Sequence, residues 1–231
     1  IYMSLTFDSG DQEFKDFMSV VPGFFLNNMK DVTSKGTASV LGKISGVYNG
    51  DIPKYPNFDI HIKVDQGYLN YTASPKALSD VFAKLVIRSS TQDMSDLIID
   101  ASDFRFNMGS DYVKGKFSLD QQKVSGDVDA NINLSNWKDF IPQNTLKTLE
   151  GTIVGNMALN AKMTDISNQN LENIIFNGQV KSENIKVETN SGPMASVKSL
   201  NATFSPKVID VQPTTVQYGK SDFLVSANID R

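Results

Sequence analysis

"KVSGDVDANINL", residues Lys123–Leu134, decides the fold class of this chain. Val124, Gly126, Val128, Ala130, Ile132 and Leu134 fall on one side of an extended backbone. Ser125, Asp127, Asp129, Asn131 and Asn133 fall on the other. Alternation at period two marks a strand with one apolar and one wet face, as in antiparallel sheets. "FDIHIKV" repeats the pattern, with Phe58, Ile60, Ile62 and Val64 against Asp59, His61 and Lys63. In "GTIVGNMALNAKM" the apolar side holds Ile153, Gly155, Met157, Leu159, Ala161 and Met163. Phe104, Phe106 and Met108 alternate with Arg105 and Asn107. Several of these runs exceed the usual strand of about five or six residues.

Helical spacing is scarce. "SGDQEFKDFMSVV" sets Phe14, Phe17, Met18 and Val21 on one helical face, with Ser9 or Asp11 as cap and Pro22 as stop, so a short helix is expected near 11–21. "LSNWKDFIP" predicts another near 136–141, with Trp137, Phe140 and Ile141 on one face, and "TLKTL" (145–149) could add a turn. "SPKALSDVFAKLV" opens like a helix but ends in alternation, and is read as a strand from about Val81 to Arg88.

The chain repeats itself. "GSDYVKGKFSL" (109–119) is answered by "GKSDFLVSANI" (219–229), with Ser221 following Ser110 by 111 residues. "SKGTASVLGKISGVY" is answered by "TLEGTIVGNMALNAKM", Gly151 following Gly36 by 115. "FDIHIKVDQGYLNYTASP" pairs with "IIFNGQVKSENIKVETNSGP", and "DLIIDASDFRFNMGSDYVKGKFSL" with "KVIDVQPTTVQYGKSDFLVSANI". That period is far longer than an ankyrin or leucine-rich unit and suits a duplicated block of strands. Two homologous β blocks are expected, 1–134 and 135–231, joined in one continuous sheet. Gly109 and Gly219 are read as corner residues, with each Ser-Asp pair holding its turn through side-chain to backbone bonds.

Composition narrows the function. With 231 residues and a 40% hydrophobic share, the chain buries a modest core. A net charge of −4 with scattered basic residues argues against nucleic acid. Zero cysteines excludes disulfides, thiolate metal sites and cysteine nucleophiles. No stretch approaches the ~20 apolar residues of a membrane-spanning helix. His61 lies on a wet face without partners for a metal or a base. Asp8, Asp11 and Glu13 lack calcium-loop spacing, and Asp127 with Asp129 read as a solvated strand face rather than a glycosidase pair. Neither a phosphate loop nor a nucleophile elbow is present, so no enzyme activity, cofactor or metal is expected.

The order "INLSNW", a short helix ending in Pro, "LEGTIVGNMALNAKM", a strand pair, an "SP" break and "YGKSDFLVSANI" resembles the C-terminal region of AsmA-like envelope proteins of Gram-negative bacteria, a family related to TamB. "GKISGVYNGDIPKYPNFDIHIKVDQGYLNY" (42–71) and the two Ser-Asp-aromatic strands carry the likeness. The resemblance implies a repeating β-groove lipid carrier, periplasmic, anchored to the inner membrane through an N-terminal segment that this chain lacks. It implies an apolar inner face that holds acyl chains.

The expected fold is therefore mainly β: a long curved antiparallel sheet with a few short helices capping an end or an edge. The expected function is a non-enzymatic envelope module. It would shield acyl chains of phospholipid or another lipid for inter-membrane transport, or support outer-membrane assembly with envelope proteins as partners. Candidates for the groove lining are Phe58, Ile60, Ile62, Phe104, Phe106, Met108, Val128, Ile132, Ile153, Met157, Leu159, Phe223 and Val225. The alternative is a structural spacer or protein-interaction module with a closed dry core. A carbohydrate-binding sandwich is disfavoured, because Trp137 is the single tryptophan and falls in an expected helix.

Overall fold

Long runs of alternating residues, separated by Gly, Asn and Asp, leave the backbone little choice but a meander of hairpins. The computed structural model describes residues 1–13, 32–52, 54–71, 76–138, 141 and 145–230. They hold β1 (Tyr2–Asp8), β2 (Gln12–Glu13), β3 (Val32–Val47), β4 (Asn57–Tyr71), β5 (Leu78–Ser89), β6 (Ile98–Met108) and β7 (Asp111–Asp120). Then follow β8 (Lys123–Asn133), β9 (Leu146–Lys162), β10 (Ile175–Thr189), β11 (Ala195–Phe204), β12 (Val208–Tyr218) and β13 (Ser221–Asp230). All thirteen join one sheet in the order β1-β3-β4-β5-β6-β7-β8-β9-β10-β11-β12-β13, with β2 beside β1 on the outer edge of β3. Every pairing is antiparallel. The path has two free ends, so the sheet is open rather than a barrel.

The expected strand over Val81–Arg88 lies within β5. Strands β3 to β7 and β9 to β13 also correspond one to one. Both runs share two irregularities, a closer likeness than alternation alone provides. Gly36 (φ +97°) faces Gln66 (φ +51°) where β3 and β4 slip register. Gly151 (φ +108°) faces Asn184 (φ +52°) where β9 and β10 slip. A side chain on either glycine would run into the backbone of the opposite strand, so the left-handed conformation and the close approach both demand glycine. A second bulge recurs between Ala101 and Phe104 of β6 and between Val211 and Thr214 of β12. Such bulges bend the bulged strand and sharpen local twist.

Several expectations are corrected. Near 11–21, Gln12 and Glu13 are strand, and residues 14–21 lie outside the described residues. Near 136–141, residues 139 and 140 lie outside the described residues, and the Ile141 N–H donates to the Lys138 carbonyl at 3.1 Å as in a 3-10 turn. A 3-10 turn runs Leu134–Asn136, where Asn133 accepts a bond from the Ser135 N–H at 3.1 Å. "TLKTL" adds no turn, since β9 begins at Leu146. Met163 leaves the apolar row to open α1 (Met163–Ser167), which turns the chain toward β10. The two hairpin corners align at 110 residues rather than 111. Met108 pairs with Asp111 around Gly109-Ser110, and Tyr218 pairs with Ser221 around Gly219-Lys220. Asp111 therefore corresponds to Ser221, not to Asp222.

The consequence of a one-layer sheet is exposure. The chain presents 14442 Å² to solvent, against about 10,300 Å² for a compact monomer of this mass. Fully buried apolar residues are few among those described: Ala38, Val64, Leu69, Met108, Val124, Ala161, Ile174 and Ala202. Ala38, Val64 and Leu69 form one cluster, packed by Leu78, Val81 and Ala83. No second sheet or helical layer covers either face among the described elements.

Candidate functional site

Direct cross-strand partners share a face of the sheet, so the register decides where each candidate points. Ala38, Val64, Ala83, Phe104, Gly115, Val128, Met157, Gly178, Phe204, Ile209 and Ile229 form one unbroken row from β3 to β13. Beside it run Val40, Ile62, Leu85, Ala101, Phe117, Gly126, Leu159 and Phe176. Further rows hold Ile60 with Ile87, Phe58 with Ser89, Ile132 with Ile153, and Phe106 with Val113. Val216 with Phe223 and Thr214 with Val225 extend the same face into β13, and Leu78 with Met108 closes it near the β6–β7 corner. All thirteen candidates thus lie on one face, although they come from five strands.

Their surroundings differ. Met108 is wholly buried, whereas Val128, Phe223 and Val225 are open to solvent. Phe58, Ile60, Ile62, Phe104, Phe106, Ile132, Ile153, Met157 and Leu159 are half-buried. Two aromatic rings lie over glycines in the paired strand: Phe7 over Gly42 and Phe104 over Gly115. A ring there covers backbone that glycine leaves bare. Phe106 is packed by the Trp137 ring, centroids 5.8 Å apart, and belongs to a small covered cluster rather than to open face.

That cluster centres on a residue the corner reading misjudged. Asp111 is buried, and its side chain bonds across to the 3-10 turn rather than to the backbone of its own corner. Asn136 donates to Asp111 Oδ2 at 2.8 Å, and the Trp137 indole N–H donates to the same oxygen at 3.2 Å. The signal was present in the alternation, because Asp111 leads Val113, Gly115, Phe117 and Leu119 on the apolar side. Ser89, Ser182 and Thr214 also interrupt the apolar rows as buried polar residues. Ser89 donates to Asp96 at 2.6 Å, and the Thr214 hydroxyl donates to the Ser199 carbonyl.

The opposite face is polar and charge-paired. Lys114 faces Asp129 at 3.3 Å and Lys116 faces Asp127 at 3.1 Å, directly across β7 and β8. Lys186 pairs with Glu150 at 3.0 Å, Lys147 with Glu188 at 2.7 Å, and Arg105 with Asp80 at 3.0 Å. Lysine partners on both aspartates leave Asp127 and Asp129 as ion-paired surface rather than an acid–base couple. His61 stands beside Asp59 at 2.9 Å on this face. The Tyr112 hydroxyl donates to Asp129 at 3.0 Å, a bond that raises the phenol above its ordinary value. A shallow depression of about 500 Å³ opens here, lined by residues including Asp100, Lys116, Asp127 and Asn177.

At the β5–β6 corner, Asp96 collects the Ser89, Ser90 and Thr91 hydroxyls and the Ser90 and Thr91 amides. These hydroxyl bonds, Ser89's first, hold its carboxyl well below the usual carboxylate range. All its neighbours belong to one tight loop, so its work is structural. Among the described residues no group of three metal-ligating side chains converges, and no helix is long and apolar enough to cross a membrane. Set against known protein families, curated proteins and solved structures, the chain finds no match in any of the three.

Proposed function

We propose that this chain is a non-enzymatic envelope module whose apolar face shields lipid acyl chains, serving inter-membrane transport or outer-membrane assembly. One observation carries the reading: an apolar row passes in register from β3 to β13 across a single open sheet that no second layer covers among the described residues. Apolar surface of that extent in a monomer marks an interaction site. Length and narrowness suit an extended chain better than a compact ligand. The ion-paired opposite face supports a trough with one wet side. The AsmA-like resemblance belongs to the same proposal, with its periplasmic location and its partner envelope proteins. So does the division into blocks 1–134 and 135–231, supported by the repeated strand order and bulges. The closed dry core of the alternative loses its geometric support, because the strand path does not close.

The experiment is lipid retention. Purified chain is extracted and its lipid quantified for the natural sequence, for Met157→Glu on the apolar face, and for Asn156→Glu one residue away on the other. Met157 is half-buried with no layer above it among the described residues, so a carboxylate there keeps some water while removing acyl contact. Lipid should be found with the natural chain and with Asn156→Glu, and should fall at least fivefold with Met157→Glu. A natural chain free of lipid would overturn the reading.

A further inference from the structure

Two lysines face each other across this sheet, where the rest of the polar face matches opposite charges. Lys123 of β8 and Lys162 of β9 are direct cross-strand partners, and like charges placed so are destabilising. Elsewhere on that face Lys114, Lys116, Lys147, Lys186 and Arg105 each meet an acid. Among the described residues neither Lys123 nor Lys162 joins an ion pair. The two line a depression of about 580 Å³ between the β7–β8 corner and the connection from β9 to β10. Two acids share its wall, Asp120 and Asp165. Asp120 is the register partner of Lys123 across the corner, yet forms no ion pair with it among the described residues. Asp165 accepts from Asn170 at 3.4 Å and from Asn173 at 3.0 Å, both on Oδ1, and its Oδ2 takes no bond among the described residues. Asp120, Lys123 and Lys162 thus stand side by side on three neighbouring strands, about 4.8 Å from each to the next. Apolar side chains stand exposed at the same place: Met163 and Ile166 of α1 at 37% each, and Ile175 at the start of β10 at 48%. Strands β7 to β10 are each paired on both sides, so the site belongs to the body of the sheet and to neither edge.

We infer that this corner docks on a phospholipid bilayer by seating a phosphoethanolamine headgroup. The phosphodiester lies between the Lys123 and Lys162 ammonium groups and removes their repulsion. The headgroup ammonium, with its N–H donors, turns to Asp120 and to Asp165 Oδ2. An anion that lacks a cation of its own would face both carboxylates, so the mixed wall favours a zwitterion over free phosphate or phosphatidylglycerol. Met163, Ile166 and Ile175 enter the boundary between headgroups and acyl chains, where apolar side chains flanked by lysines gain from burial. A soluble headgroup would leave those three in water, so the bilayer is the source of the ligand. Val124 follows Lys123 and Ala161 precedes Lys162, both buried at the end of the apolar rows. The docked headgroup therefore sits one residue from the trough. Passage of its lipid into the trough rests on the acyl-chain reading, whereas the docking does not.

The test is co-sedimentation of the purified chain with vesicles of three kinds. One is phosphatidylcholine alone, and the others add an equal part of phosphatidylethanolamine or of phosphatidylglycerol. Binding should be at least fivefold tighter to the phosphatidylethanolamine vesicles than to either of the others, because choline offers the carboxylates no N–H and phosphatidylglycerol no cation. Lys123→Gln with Lys162→Gln should weaken that binding at least tenfold without lowering the thermal midpoint, since the repulsion goes too. Lys181→Gln with Lys198→Gln, the same charge change on exposed lysines elsewhere, should leave it unaltered. Soluble glycerophosphoethanolamine should bind at least tenfold more weakly than the vesicles, and Ile166→Ser with Ile175→Ser should abolish that difference. No binding to vesicles, equal binding to all three, a preference for phosphatidylglycerol, or full binding by the Lys123 and Lys162 double variant overturns the inference. Soluble headgroup bound as tightly as vesicles overturns the bilayer as its source. A chain that retains lipid but ignores vesicles loses this site and keeps the acyl-chain reading, and a chain that binds vesicles but retains no lipid does the reverse.

Discussion

Gly151→Ala puts a methyl group where the sheet has no room. At φ +108° an alanine is held in a sparsely populated conformation, a strain of about 1–3 kcal/mol. Its Cβ would also sit 2.7 Å from the carbonyl oxygens of Glu183 and Asn184, and 2.7 Å from the Ile185 Cα. Those are backbone atoms of a paired strand, which yield only by moving the ladder, at a further cost of about 1–3 kcal/mol. The total is about 2–6 kcal/mol, which for a chain of this size lowers the thermal midpoint by roughly 4–24 °C. Gly36→Ala should cost as much, because its Cβ would collide with the Gln66 carbonyl in the equivalent place. Gly10→Ala is the control: φ is +57° but nothing lies within 4 Å, so only the backbone strain of about 1–2 kcal/mol applies. Thermal melts followed by circular dichroism compare the three. If Gly151→Ala or Gly36→Ala melts within 1–2 °C of the natural chain, as about the smallest shift resolvable, the paired-glycine account of the bulges is wrong.

Asp111→Ala removes the acceptor shared by Asn136 and Trp137, and losing bonds to a buried amide costs about 1–3 kcal/mol. Because Trp137 is the only tryptophan, its emission should shift to longer wavelength in the folded variant, and an unchanged spectrum would refute the cluster. Asp96→Asn tests the β5–β6 corner. Since the folded carboxyl titrates below its unfolded value, its contribution is full above the unfolded pKa of about 3.9 and fades as pH falls through the folded value. The melting difference between natural chain and variant should hold steady from about pH 5 to pH 8 and narrow below about pH 4. A difference that grows on acidification would contradict the bond pattern.

How far the sequence could be read depended on which forces acted locally. Alternation in 58–64, 123–134 and 151–161 predicted both strand and face, because a period of two leaves one orientation once a side is apolar. The corner glycines were legible for a similar local reason. Asp111 was not, since its partners lie about 25 residues onward, brought near only when β8 returns beside β7. Proximity to a turn made the local explanation the easier one. At 136–137 the expected helix gives way for the same reason: Asp111 accepts from Asn136 and Trp137 and holds them at a 3-10 turn. Met163 misled because alternation does not announce its own end. Period two also put the thirteen candidates on one face of the sheet, while the covering of Phe106 by Trp137 depended on tertiary packing that no periodicity encodes.

A photo-crosslinking scan along β4 tests the central claim most directly. A photoreactive residue is placed in turn at positions 58 to 64 and lipid adducts are measured in whole cells and on purified chain. An acyl chain lying on the apolar face should label Phe58, Ile60, Ile62 and Val64 and spare Asp59, His61 and Lys63, an alternation with the period of the strand. Adducts at all seven positions alike, or at none, would contradict the account.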